Sequence, residues 1–313
     1  KFYVTTSIGI ACYPFAGENR ESLIKNADIA MYRAKAMGKN TYQYFSEQLN
    51  KEYTHRATVE TALRQALSSQ EFHMVYQVVY ELATQKPVGV EALIRWHHPK
   101  LGDVSPVEFI PISEEVGIIQ QIGAWIMQTA CQQFADWCEL GFNDIDYAIN
   151  LSPRQLQQAD LVEETKHVLS RYKINPKSLV LELTETAIMA NMGEAEDMLK
   201  ELHQMGIRIS IDDFGTGYSS LIRLRHLPIS ALKIDRSFIR DVLSDKNDAI
   251  IVKAILSLAN SLGLKAIAEG IETKEQLQFL IDNGCSYGQG FYLSKPVSAD
   301  EVTNIFNKVK KNG

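Results

Sequence analysis

The sequence predicts a modified eight-stranded (β/α)8 barrel whose first strand runs antiparallel, preceded by a short α+β segment. Three observations carry that prediction. From Phe72 onward, short apolar strands alternate with helical stretches. Eight candidate strands fall within about 240 residues, the size and rhythm of an eight-stranded α/β barrel. Polar residues interrupt those strands near one end, as happens where a barrel gathers functional side chains onto one face.

Residues 1–45 read as the C-terminal part of a smaller domain. A strand ends in Ile8-Gly9-Ile10-Ala11 and a turn passes Pro14 and Gly17. A helix follows with Leu23, Ile24, Ala27, Ala30, Met31 and Ala34 at helical spacing, closed at Gly38. About 45 residues rarely bury enough surface to stand alone. The chain also opens without methionine, so a longer polypeptide with upstream domains is expected. A connector helix is expected over 46–70, with Val59, Leu63, Ala66 and Leu67 on one stripe. It either relays orientation between domains or simply packs on its neighbour.

Over 71–313 the barrel strands are expected at Phe72–Val79, Val88–Trp96, Asp146–Leu151, Leu179–Thr184, Ile207–Asp212, Ala231–Ile234, Lys265–Glu269 and Gly288–Leu293. Helices are expected at Ser113–Leu140, Pro153–Tyr172, Gly193–Met205, Asn247–Leu262 and Thr273–Asn283. The first two strands join through a short turn at Thr84 and Lys86-Pro87, too brief for a crossover helix, which makes them antiparallel. The result is a TIM-type barrel with one reversed strand.

Composition narrows the function. The chain has 313 residues, 45% hydrophobic and 22% charged, with a net charge of −6. That balance excludes bulk binding of DNA or RNA, which needs many Lys and Arg contacts to phosphate. No apolar run approaches the ~18–20 residues of a membrane helix, which points to a cytoplasmic segment of a protein whose full length leaves room for a membrane anchor. Cys12, Cys131, Cys138 and Cys285 show no metal spacing and read as reduced, mostly buried thiols.

The chemistry lies where acids break the strands. Glu91, Asn150, Glu182, Asp212 with Asp213, Lys233, Glu269 and Gln289 each fall within or at the end of an apolar strand. Burying so many carboxylates uncompensated is very costly. Divalent cations are the simplest remedy, since each offsets two carboxylate charges and takes hard oxygen ligands. An all-oxygen donor set favours Mg2+ or Mn2+ over zinc. The segment from Asp212 to Ser220 reads in two ways. It is either an ordinary glycine-rich turn or a loop whose paired acids reach two cations, or one cation and its water. The double Asp favours the second, and Ser219-Ser220 are placed to cap a helix.

Other residues are assigned to structure. His97 and His98 are adjacent on a strand and point to opposite faces. Trp125, Phe134 and Trp137 belong to the core, while Lys308-Val309-Lys310-Lys311 is expected to be a solvated basic tail.

Several separate motifs act together: Glu91-Ala92-Leu93-Ile94-Arg95-Trp96, Asn150-Leu151-Ser152-Pro153, Glu182-Leu183-Thr184-Glu185, the double-Asp loop, Lys233-Ile234-Asp235, Glu269-Gly270-Ile271-Glu272 and Gln289-Gly290-Phe291. Over residues 63–297 the chain thereby resembles the EAL-domain cyclic di-GMP phosphodiesterases. Residues 1–45 resemble the end of a GGDEF (diguanylate cyclase) domain through Ser7-Ile8-Gly9-Ile10-Ala11, Ala27-Asp28-Ile29-Ala30-Met31-Tyr32 and Ala34-Lys35, without the GGDEF signature. This remnant is therefore not expected to make cyclic di-GMP.

The resemblance implies hydrolysis of cyclic di-GMP to linear pGpG with two Mg2+ or Mn2+ ions per site. Glu91, Asn150, Glu182, Asp212 and Asp213 would be ligands, and Glu269 a ligand or an orienter of water. Lys233 would hold or help deprotonate the attacking water, and Gln289 would complete the site by hydrogen bonding. Gln77, Arg95 and Asp235 would contact substrate, while Glu185 and Glu272 would brace the double-Asp loop. Val78 stands where many members have proline, which bears on the Gln77 contact. A homodimer through the barrel and upstream sensory and GGDEF domains are also implied. The rival expectation is a weakly catalytic cyclic di-GMP receptor that signals through the connector helix; a barrel aldolase or dehydratase fits less well.

Overall fold

The computed structural model describes residues 4–190, 192–217, 224 and 226–312. The chain divides into two compact units, one up to Ser69 and one from Gln70 onward.

In the first unit, β1 (Ile8–Ile10) pairs in parallel with β2 (Tyr42–Tyr44) across helix α1 (Arg20–Ala36). Asn19 starts that helix as a capping box, its Oδ1 accepting the Ser22 N–H at 2.9 Å. Ile29, Ala30 and Ala34 are buried, whereas Ile24, assigned to the same stripe by spacing, is 52% exposed. A helix, α2 (Glu47–Ala66), occupies most of residues 46–70 within the first unit, capped by Ser46, with Val59, Leu63 and Ala66 buried.

The second unit is the closed barrel. Its eight strands are β3 (Phe72–Glu81), β4 (Lys86–His98), β6 (Asp146–Asn150), β7 (Leu179–Thr184), β8 (Arg208–Phe214), β9 (Ala231–Ile234), β10 (Lys265–Ala268) and β11 (Tyr287–Gly288). The strands from β6 to β11 run parallel to one another, and β4 pairs parallel with β6. The expected reversed strand is β3, which pairs antiparallel with β4 on one side and β11 on the other and so closes the ring. A short β5 (Gly102–Val104), not foreseen, folds back on the end of β4, where His97 Nδ1 lies 2.6 Å from Asp103 Oδ1.

Three elements depart from the periodicity. The long helix expected at Ser113–Leu140 is broken at Gly117 (φ 81°) into α3 (Pro106–Glu115) and α4 (Ile119–Glu139). The stretch from Pro153 forms a 3-10 turn at Gln155–Gln157 before α5 (Leu161–Tyr172). The last strand stops at Gly288 rather than Leu293, because the chain beyond it turns across the end of β10. The basic residues near the end lie on a helix, Ala299–Asn312, with Lys308 and Lys310 exposed as expected, and Lys310 Nζ donates to Leu140 O at 3.0 Å. The expected cap at Ser219 and Ser220 lies outside the described residues.

Helices cover the barrel with an aromatic layer in which Phe134, Trp137 and Tyr147 stack and Phe306 abuts Trp137. Phe134 and Trp137 are fully buried, as expected. Side chains alternate along each strand, and the inward set is layered. At the N-terminal mouth Asp146 receives both Arg208 Nη atoms at 2.6 Å and Lys265 Nζ at 3.4 Å. Asp146→Asn is expected to destabilise the barrel by about 1.5–3 kcal/mol, the range for hydrogen bonds to charged groups, without changing turnover. Urea unfolding beside a kinetic assay checks both halves.

Candidate active site

Four strands, and the residue just after a fifth, deliver their acids and a lysine to the opposite mouth. Glu91 comes from β4, Glu182 from β7, Asp212 and Asp213 from β8, and Lys233 from β9; Glu269 follows β10 directly. The parallel register explains the convergence, since Asn150 pairs with Glu182 and Thr184 with Asp212 at the C-terminal ends of adjacent strands.

Lys233 sits at the centre and is 1% exposed. Its Nζ lies 2.7 Å from Glu182 Oε2, 2.7 Å from Glu269 Oε1, 3.1 Å from Glu91 Oε2 and 3.4 Å from Asp212 Oδ1. Gln289 Nε2 donates to Glu91 Oε2 at 2.7 Å and to Glu269 Oε1 at 3.0 Å. Asn150 Nδ2 donates to Glu91 Oε1 at 2.6 Å. These residues, up to 198 positions apart in the sequence, form one hydrogen-bonded ring.

One ammonium facing four carboxylates sets the electrostatics. Burial alone would depress the Lys233 pKa, but Asp212, Glu182, Glu269 and Glu91 together hold it well above the ordinary lysine range. Three of the acids are pushed toward the neutral form. Burial, then repulsion from Glu91 and Asp212, pushes Glu182 well above the usual carboxylate range. Glu269 is pushed up to about 8 by burial, Asp212 and Glu91, against the pull of Lys233. Asp213 rises to about 6 through burial and its neighbours Asp212 and Asp235. For Glu91 burial is outweighed by Lys233 and the Gln289 and Asn150 hydrogen bonds, which keep it below that range.

Such an array suits hard cations. Oxygens of Glu91, Glu182 and Asp212 lie within 4.8 Å of one another, and so do those of Asp212, Asp213 and Glu269. Asp212 is common to both groups. All are hard oxygen donors, and Gln289 Oε1 is buried without a hydrogen-bond partner among the described residues.

Adjacent strand residues ordinarily face opposite ways, so the approach of both Asp212 and Asp213 to Glu269 needs an explanation. The β8–β9 register shifts between Ile211 and Phe214, and Asp213 adopts a left-handed φ of 53°. This bulge turns both carboxylates to the same side. Beyond it Gly215 N–H donates at 2.9 Å to Glu185, buried at the start of the helix that follows β7. Glu272 is exposed at the rim, and its carboxylate makes no hydrogen bond to that loop among the described residues.

A cleft of about 1020 Å³ opens above the ring, lined by Gln77, Arg95 and Asp235 among others. Gln77 Nε2 donates to Ser294 O at 3.3 Å, and Arg95 Nη1 to Ile94 O at 2.8 Å. Asp235 caps a short helix, Arg236–Arg240, through the Ser237 N–H at 2.9 Å. That helix brings Arg236 and Arg240 to the cleft. Sequence reading did not single them out, because a five-residue helix has too little periodicity to register.

Comparison with known proteins agrees with the geometry. The EAL domain family matches residues 60–296, and the diguanylate cyclase, GGDEF domain family matches residues 1–41. The chain is 43% identical over 299 residues to the bifunctional diguanylate cyclase/cyclic di-GMP phosphodiesterase MucR of Pseudomonas aeruginosa, covering 96% of this chain and 44% of that protein. It is 41% identical over 294 residues to the cyclic di-GMP phosphodiesterase NbdA of the same organism, covering 94% of this chain and 38% of NbdA. The chain thus spans less than half the length of these relatives. The solved structure of the PaMucR phosphodiesterase in its c-di-GMP complex superposes with a TM-score of 0.76 at 43% identity, covering 78% of this chain and 99% of that one.

Proposed function

The chain belongs to the EAL domain family, and on that premise we propose that it is a phosphodiesterase that hydrolyses cyclic di-GMP to linear pGpG. The observation that carries this reading is the ring of buried carboxylates around Lys233 at the C-terminal mouth of the barrel. The activity named for MucR and NbdA and the ligand in the PaMucR complex support it.

Glu91, Asn150, Glu182, Asp212, Asp213 and Glu269 would hold Mg2+ or Mn2+, two ions per site because Asp212 is shared by both carboxylate groups. Bound there, the ions would supply an acidified water and charge screening at the phosphate. The protein's own groups do the rest. Lys233 donates to Glu91 and Glu182 and pairs with Glu269, which sets the orientation of the ring, and its third N–H is the one that would hold the attacking water. Glu269 takes the Gln289 and Lys233 donors on Oε1, which leaves Oε2 for an ion or its water. Asp213 stands at the open side of the ring as an acceptor for the water proton. Arg95 and Gln77 on one wall and Asp235 on the other bind the nucleotide, the guanidinium being suited to a phosphate oxygen. Water oxygen forms the new P–O bond, the P–O3′ bond breaks, and the leaving oxygen takes a proton.

The deciding experiment incubates the purified chain with cyclic di-GMP and Mg2+ or Mn2+ and separates the products. Linear pGpG is expected. Unaltered cyclic di-GMP with tight binding retained would favour the receptor reading instead.

Loop bracing is a further part of the proposal. Glu185→Ala is expected to weaken Mn2+ binding about 10–100-fold, as loss of an outer hydrogen bond to a metal site typically does. Glu272→Ala tests the second brace: kinetics that match the unaltered chain would leave bracing to Glu185 alone.

We place this segment in the cytoplasm, as a homodimer through the barrel within a longer chain that carries upstream domains. No helix among the described residues is long and apolar enough to cross a membrane. Sedimentation of the purified chain tests the dimer.

A further inference from the structure

Glu269 and Gln289 meet side by side, yet neither lies in a strand, since β10 ends at Ala268 and β11 at Gly288. One irregular step in the pairing holds them together. Gln289 N donates to Ala268 O at 2.8 Å, while Gln289 O accepts from Ile271 N at 3.2 Å. With Ala268 paired to Gly288, an uninterrupted parallel ladder would use the Gly270 N–H instead. Gly270 is therefore the extra residue of a β-bulge, and its φ of 70° is left-handed.

The opposing chain crosses this bulge at Gly290. A Cβ on Gly290 would fall 2.2 Å from both Ile271 N and Ile271 O, and 2.6 Å from Ile271 Cα. These are backbone atoms, which cannot swing aside as a side chain can. Tyr292 N then donates to Ile271 O at 2.9 Å and locks the crossing. A Cβ on Gly270 would in turn fall 2.6 Å from Arg236 Cβ. Lys233 lies on β9, and β9's two neighbours, β8 and β10, each lead into a left-handed residue, Asp213 and Gly270. On one side the bulge aims the paired aspartates, and on the other it aims Glu269.

We propose that Gly290 and Gly270 are positioning residues, a backbone clasp that brings the Gln289 amide and the Glu269 carboxylate into the cation-binding ring. The inference rests on the reading of that ring as a divalent-cation site. It assigns to two glycines a share of the site's geometry, acting through the side chains of residues 269 and 289. A bulge at this position re-aims one side chain while leaving the rest of the barrel in register.

The test measures Mn2+ affinity by calorimetry, beside thermal melts and steady-state kinetics. Gly290→Ala is expected to raise the Mn2+ Kd about 10–100-fold, the range seen when groups that orient metal ligands are lost. kcat should fall in step while KM moves by less than about threefold, because Gln77, Arg95 and Asp235, which are proposed to bind the nucleotide, keep their side chains. Gly263→Ala is the control for strain alone, since Gly263 shares the left-handed backbone of Gly270 (φ 69° and 70°) but has nothing within 4 Å of its Cβ. It should lower the melting temperature without moving the Mn2+ Kd. Unweakened Mn2+ binding by Gly290→Ala, or equal weakening by Gly263→Ala, would overturn the clasp. If Gly290→Ala does not fold, Gly270→Ala decides the matter by the same readout. An unaltered chain that binds Mn2+ but leaves cyclic di-GMP intact would sink the proposed function while the clasp remained testable.

Discussion

Lys233→Met is expected to destabilise the cation-free barrel by about 3–5 kcal/mol, the range for removing one partner from a buried ion pair. Methionine matches the lysine stem in volume, so little packing is lost and the effect isolates the charge. Four carboxylates within 3.4 Å of Nζ would then face one another with no cation between them. All four are largely withdrawn from water, with side chains between 4% and 16% exposed, so solvent screens them poorly. Adding Mn2+ should restore part of the loss, because an ion that binds only the folded state stabilises it by mass action. Denaturant unfolding with and without Mn2+ measures both effects. A variant as stable as the unaltered chain would show that the ring is balanced by something other than Lys233.

Asp212→Asn is expected to have the largest effect on turnover. Asp212 is the one residue in both carboxylate groups, so neutralising it weakens two cation positions at once. It also lies in the bulged end of β8, where its Oδ1 accepts the Asp213 N–H at 3.0 Å and so helps hold its neighbour. Asparagine keeps the size and an acceptor oxygen but removes the charge. The expected fall in kcat exceeds about 100-fold, beyond the range for an outer-sphere change, with the thermal melt little altered. Glu91→Gln should behave similarly. Either variant turning over at the original rate would refute its assignment as a ligand.

Much of this was legible in the sequence because the signals are local. The run Leu179–Thr184 reads as a buried strand from its own residues, and its one acid, Glu182, stands out against them. The same holds for Ala231–Ile234 with Lys233. The reversed strand followed from a turn too short for any crossover. The misses have equally physical causes. Periodicity could not tell one long helix from two separated at Gly117, since both halves are amphipathic. It extended the last strand to Leu293 because Phe291, Tyr292 and Leu293 are apolar, although their backbone turns away to cross β10. The basic residues near the end are solvent-exposed as expected, but their composition gave no sign that Lys310 reaches the Leu140 carbonyl 170 residues away.

By itself the sequence determined the barrel, the identity of the polar residues on its strands and the choice of hard oxygen donors. It did so because alternating hydrophobicity and residue chemistry are written along the chain. Only the tertiary structure decided that Lys233 stands at the centre of the ring, with Glu91 arriving from 142 residues away. It alone showed that Asp212 and Asp213 share a face and that Glu269 meets Gln289 across a bulge. Those outcomes depend on where the barrel closes and on single residues that slip the register, and neither is a property of any one segment.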